Sequence, residues 1–97
     1  MFSAALRSAR KSRGVSLNSA ARTAGIDPGH MYRVETGKRG PLSVPDIMSI
    51  AKTLDIDPFE LLVLRCVEVG SVDNELLHRQ DIVDEVRRRM DASQAEE

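Results

Sequence analysis

The sequence contains few of the residues that build disulfides and metal sites. Its 97 residues include one cysteine, Cys66, and two histidines, His30 and His78. A single cysteine cannot form an intramolecular disulfide, and neither histidine lies at zinc-ligand spacing from it. We therefore expect no disulfide, no metal ion and no other cofactor, and the cysteine content favours a reducing cytoplasm.

Long apolar runs are also lacking. Four bases within the first 13 residues prevent a signal-peptide pattern, and no apolar run reaches the roughly 20 residues of a membrane span. The residues supply no combination of nucleophile, base and acid, and no phosphate-binding loop. We expect a soluble cytoplasmic protein that has no membrane contact and is not an enzyme.

The charges are distributed unevenly along the chain. Residues 1–41 hold eight bases and two acids, a net charge of +6, and the remainder carries −7. This distribution indicates a basic working face and an acidic far side, although ordinary solvated surface charge is the alternative.

Residues 16–37 have the pattern of two short helices joined by a tight turn, with the sequence SLNSAARTAGIDPGHMYRVETG. Ser16 can cap the first helix, and Gly25 permits the turn. Asp27 can cap the second helix, where Pro28 occupies the first helical position and needs no hydrogen-bond partner. The inward positions of the first helix are small, which allows close helix packing: Ala20, Ala21 and Ala24.

An ion pair is predicted between two segments of the chain. A helix is expected over residues 3–13 with Ser3 as its N-cap, and Arg10 continues the apolar stripe of this helix. Glu35 lies near the C-terminal end of a later helix, where the helix dipole disfavours an acid. Arg10 is therefore its expected partner; the alternative is that Arg10 extends to solvent.

Residues 6–62 resemble the DNA-binding domain of the phage Cro/repressor-like (Xre-like) helix-turn-helix family. The resemblance rests on the arginine of the first helix, A-x-x-x-G at the turn, E-x-G closing the second helix of the motif, and a later I-A-x-x-L. It implies an all-α, five-helix lambda-repressor-like DNA-binding domain over residues 1–64 and a structural salt bridge between Arg10 and Glu35. A C-terminal helical extension over residues 65–91 and a disordered tail over 92–97 are expected to follow.

The resemblance also implies which residues approach DNA bases. In this family the outward face of the third helix enters the major groove, at positions that correspond here to Pro28, Gly29, His30, Tyr32 and Arg33. Pro28 and Gly29 cannot hydrogen-bond a base through a side chain. We therefore expect Arg33 to be the main base-reading residue, with weaker help from His30 and Tyr32. A solvated Arg33 is the alternative.

Phosphate contacts are expected at two places. The free backbone N–H groups around Ser16 and Leu17 form an anion site at a helix start. Many family members carry glutamine where Leu17 stands, so Asn18 is a substitute amide donor. The family's backbone-contacting loop corresponds to Thr36, Lys38 and Arg39.

The C-terminal third leaves more than one interpretation open. Residues 65–69 could continue a helix that starts near Asp57, or form a strand because three valines lie nearby, and we favour the helix. A further amphipathic helix is predicted after Asp73, with a break at Asp81. Its apolar residues could fold back as core, but we expect dimerisation through Leu76, Leu77, Val83, Val86 and Met90.

Two classes of function follow. The first is a homodimeric, sequence-specific transcriptional repressor that binds a palindromic operator in double-stranded DNA. The alternative is an antitoxin or adaptor that binds another protein through its C-terminal segment.

Overall fold

The protein is described by a computed structural model that covers residues 1–70, 72 and 74–95. In these ranges the fold is all-α, as predicted, and no strand occurs. The helices are α1 (Phe2–Ser12), α2 (Leu17–Ala24), α3 (Pro28–Glu35), α4 (Val44–Leu54), α5 (Pro58–Val69), α6 (Asn74–Leu77) and α7 (Gln80–Ala95).

Side-chain caps begin four of these helices. The Ser16 hydroxyl accepts the Ser19 N–H at 3.1 Å, and the Asp27 carboxylate accepts the His30 N–H at 2.9 Å. Equivalent bonds occur at Ser43 of α4 and Asp57 of α5. Each cap satisfies an N–H group that has no partner within its helix.

The predicted cap of α1 was wrong. The helix begins at Phe2, with Met1 at the N-cap position and no side-chain cap bond from a neighbouring residue. Instead, Glu68 of α5 accepts the Phe2 N–H at 2.7 Å. The carboxylate of Glu68, which is distant in sequence, therefore caps the start of α1 in place of Ser3.

Helices α1 to α5 enclose a hydrophobic core. Ala20 and Ala21 are fully buried, and α2 packs against both α3 and α4. Because alanine side chains are small, the backbones of these helices can approach closely. The other core side chains of α1 to α5 are mainly branched or large apolar residues, among them Leu6, Met31, Ile47, Ile50 and Leu62.

Helix α5 continues to Val69, so residues 65–69 are helical and not a strand. Leu61, Leu62, Arg65 and Cys66 are buried at helical spacing, whereas Val67 and Val69 are exposed. Burial on one helical face thus overrides the extended preference of the valines. The boundary predicted after residue 64 falls inside this helix.

The extension folds back onto the same chain. Leu76, Val83 and Val86 are fully buried and belong to the same core as α1 to α5. Their predicted dimerisation role is therefore corrected to core packing, since a fully buried side chain cannot contact a partner. Leu77 is 44% exposed, and Met90 is partly buried against the core.

The helix boundaries in the extension also differ from the prediction. The break between α6 and α7 lies at residues 78–79, before Asp81. Helix α7 continues to Ala95, beyond the position where a disordered tail was expected to begin. The predicted cap Asp73 and residues 96–97 lie outside the described residues.

One glutamate connects the extension to α4. Glu75 accepts the Val44 N–H through Oε1 at 2.8 Å, and its Oε2 lies 2.8 Å from Arg65 Nη2. Arg65 also donates from Nε to the Leu42 carbonyl at 3.1 Å. Glu75 therefore acts as a remote cap of α4 and pairs with a buried arginine of α5.

Helix α7 is held near the start of α5 by an arginine. Arg89 Nη1 lies 2.9 Å from Asp57 Oδ2, and the guanidinium carbon lies 5.0 Å from the centre of the Phe59 ring. Its Nε also bonds Glu85 at 2.9 Å.

No helix among the described residues has the length and apolar character needed to cross a bilayer.

Candidate nucleic-acid interface

The turn between α2 and α3 sets the angle of α3. Gly25 has a φ of 74°, a left-handed conformation that glycine adopts without a Cβ clash. The next residue, Ile26, is buried and donates its N–H to the Ala21 carbonyl at 2.8 Å. This arrangement closes α2 and holds the start of α3 against it.

Helix α3 has a buried face and an exposed polar face. Met31 and Val34 are buried, whereas Tyr32 is 50% exposed and Arg33 is exposed. His30 is half-buried. The residues predicted to approach bases therefore lie away from the core, on a helix whose other side is fixed by packing.

The Arg33 side chain lies beside the first turn of α3. A Cβ placed at Gly29 would lie 3.1 Å from Asp27 Oδ2 and 3.4 Å from Arg33 Nη1, so the guanidinium is folded back toward the start of the helix. Arginine is the side chain best suited to two parallel hydrogen bonds with guanine. Its five donors lie near the N-terminal half of α3, the part of a recognition helix that contacts base edges.

The loop after α3 is exposed and basic. Lys38 and Arg39 both donate their backbone N–H groups to the Arg33 carbonyl, at 2.9 and 3.1 Å. Lys38 Nζ lies 5.8 Å from the centre of the Tyr32 ring, within cation–π range. The Thr36 hydroxyl donates to the Tyr32 carbonyl at 2.9 Å. The loop is thus tied to α3, with its two cations exposed.

The start of α2 offers a second polar site. Ser16 and Asn18 are exposed, whereas Leu17 is half-buried and packs against the core. Leu17 can therefore offer an anion only its backbone N–H, as the sequence indicated. Asn18 is the neighbouring residue with an exposed amide.

The expected ion pair joins α1 to the end of α3. Arg10 Nε lies 2.8 Å from Glu35 Oε2, and its Nη2 lies 2.9 Å from Oε1. The remaining terminal nitrogen donates to the Val15 carbonyl at 2.9 Å. The hydrogen bond to Glu35 raises the pKa of Arg10, burial opposes that rise, and Coulomb attraction to Glu35 adds to it. Both groups therefore form their hydrogen bonds within the fold.

Sequence reasoning did not identify Glu75 or Glu68 as structural residues. Each bonds a backbone N–H far away in sequence, Val44 for Glu75 and Phe2 for Glu68. No periodicity or local motif signals contacts of this kind.

Within the described ranges, no group of three or more His, Cys, Asp and Glu could hold a metal ion.

These features define a helix-turn-helix protein: two packed helices joined by a glycine turn, and an exposed polar face on the second helix that is followed by a basic loop. The sequence pattern of the helix-turn-helix domain family matches residues 2–64, and the chain belongs to this family. The predicted resemblance and fold class are thereby confirmed, and the chain is a DNA-binding transcription regulator.

Two solved structures are similar to the chain. The restriction-modification controller protein C.AhdI from Aeromonas hydrophila is 37% identical over 62% of this chain and 89% of its own, with a TM-score of 0.57. The complex of the SinR and SinI proteins contains a chain that is 18% identical over 92% of this chain and 99% of its own, with a TM-score of 0.60. The second similarity concerns the fold alone. Comparison with curated proteins gives no significant match.

Proposed function

We propose that the protein is a sequence-specific repressor that inserts α3 into the major groove of double-stranded DNA. The observation that carries this proposal is the exposed face of α3, with Arg33 and Tyr32 free of the core and a basic loop directly after it. A polar helix face held on a rigid scaffold is what base recognition requires. Arg33 is the main base-reading residue, and His30 and Tyr32 contribute weaker contacts.

Phosphate contacts supply most of the affinity in this proposal. Lys38 and Arg39 contact the DNA backbone from the loop, with Thr36 beside them. Ser16, Leu17 and Asn18 bind a second phosphate at the start of α2, mainly through backbone N–H groups.

The loop contacts predict a specific salt dependence. Lys38→Gln or Arg39→Gln should weaken binding on all sequences and lower the slope of log K against log salt by about one unit each, since each cation releases one counterion. Fluorescence anisotropy over a salt series measures the slope. Lys52→Gln removes an exposed base of α4 and is the matched control; an unchanged slope in the loop variants contradicts the phosphate role.

The repressor is proposed to act as a homodimer on a palindromic operator, because two half-sites one helical turn apart multiply specificity. Exposed apolar side chains remain available for such contact, among them Val67, Val69 and Leu77. Light scattering of the full chain, free and with DNA, measures the stoichiometry.

Selection of bound duplexes from a random pool tests the whole proposal. We expect a palindromic site that contains guanine at a position lost in Arg33→Ala, and binding that weakens steeply with salt. Failure to enrich any sequence, together with salt-insensitive or undetectable DNA binding, would favour the adaptor or antitoxin role.

A further inference from the structure

A groove between α1 and the end of α3 carries charge that the proposed interface does not use. It has a volume of about 900 Å³ and is lined by Arg7, Lys11, Glu35 and Thr36, together with serines of α1. Arg7 and Lys11 are four residues apart, so they lie on the same face of the helix. Both are exposed, and neither forms an ion pair with the described residues.

The groove is electrostatically positive. Glu35 is the one acid among the described residues that line it, and the Arg10 guanidinium neutralises its carboxylate through two hydrogen bonds. The charges of Arg7 and Lys11 therefore remain uncompensated there. Hydroxyl groups and cationic side chains both donate hydrogen bonds to phosphate oxygens, so the lining of this groove suits a phosphate group.

The groove is continuous with the basic loop. Thr36 lines it and is also the first residue after α3. When the N-terminal half of a recognition helix contacts bases, its other end lies near the phosphate strand that borders the major groove. The Arg10–Glu35 pair joins α1 to this end of α3. Ser3 of α1 lines both this groove and the neighbouring cavity that Lys38 and Arg39 line, so the two basic surfaces adjoin.

We propose that Arg7 and Lys11 form a second phosphate-binding surface, which contacts the DNA backbone next to the phosphates held by Lys38 and Arg39. The inference rests on the proposed DNA-binding function and extends its footprint to α1. Its occupant is the sugar–phosphate backbone, recognised without regard to base sequence.

The test combines salt dependence with phosphate-ethylation interference on the selected duplex. Arg7→Gln and Lys11→Gln should each lower the salt slope by about 0.9 unit, and the double variant by about twice that. The double variant should also lose interference at one or two phosphates, while those assigned to Lys38 and Arg39 remain. Glutamine preserves helix propensity, so unfolding curves should match those of the parent.

Two controls separate contact from a general field effect. Arg7→Lys retains a cation and should restore the slope, whereas Lys52→Gln should leave both slope and interference pattern unchanged. An unchanged pattern in the double variant, or an equal loss of slope in Lys52→Gln, would overturn the inference. Absence of selective DNA binding by the parent protein would instead overturn the proposed function.

Discussion

Arg10 and Arg33 have the same side chain, and their surroundings give them different roles. Arg10 lies between α1 and α3, where the side chains of Arg10 and Glu35 are 12% and 3% exposed. Arg33 lies on the outer face of α3 and has exposed donors. The first arginine stabilises the position of the recognition helix, and the second is available to a ligand.

Replacement of Arg10 should therefore reduce stability. Arg10→Ala leaves the buried Glu35 carboxylate without its ion-pair partner, and we expect the free energy of unfolding to fall by about 3 kcal/mol. Urea denaturation measures the change, with Arg33→Ala as the matched control, which should stay within about 0.5 kcal/mol of the parent. Equal losses in the two variants would contradict the assignment.

The pH dependence of this pair has a defined sign. Because the pKa of Arg10 is raised in the folded state, its stabilisation is fully present below the unfolded pKa and is lost only as the pH rises through the raised value. Arg10 therefore remains protonated at neutral pH, and deprotonation of its guanidinium does not break the pair there.

Replacement of Arg33 should instead affect DNA discrimination. Arg33→Ala should cost about 1–3 kcal/mol on the selected site and relax the preference at one base pair, since a guanine loses two hydrogen bonds. Competition binding with single-substitution duplexes measures both effects. The same loss on every duplex would show that Arg33 contacts phosphate and not a base.

Among the helices, the starts that were predicted well have caps close in sequence. Ser16 and Asp27 each bond an N–H three residues ahead, so a short motif contains both partners. The start of α1 could not be predicted in this way, because its carboxylate comes from Glu68. The helical state of residues 65–69 likewise depends on what buries one face of α5.

The cap of α3 gives a test at this scale. Asp27→Ala removes the bond to the His30 N–H and should lower the free energy of unfolding by about 1 kcal/mol. Asp27→Asn retains an acceptor oxygen and should keep most of that stability. Urea denaturation of both variants distinguishes the lost cap from a general charge effect, which would destabilise them equally.

For the whole molecule, the sequence identified the helix-turn-helix domain but could not decide what covers the apolar stripe of the extension. Periodicity shows that Val83 and Val86 need burial, and a partner subunit or the same chain could provide it. The structure buries both in the core of the same chain, where α7 packs against α5. The exposed face of α3 was easier to predict, because helical spacing places Met31 and Val34 on one side and leaves Tyr32 and Arg33 on the other.

Removal of the extension should destabilise the whole domain. A chain ending after Gly70 lacks four buried apolar residues, Leu76, Ile82, Val83 and Val86, and we expect a loss of more than about 4 kcal/mol. Circular dichroism and urea denaturation measure it, with a chain ending after Asp91 as the control. Unchanged stability in the shorter chain would show that the extension is dispensable for folding.

The Glu75 bonds to Val44 and Arg65 limit how this regulator can be altered. A chimera that joins residues 1–64 to a foreign C-terminal segment would leave the Val44 N–H without its Glu75 acceptor. Substitutions on the outer face of α3 leave that connection intact. New binding specificities are therefore accessible by point changes at the surface, whereas exchange of whole modules has to carry residues 65–90 along with the DNA-binding helices.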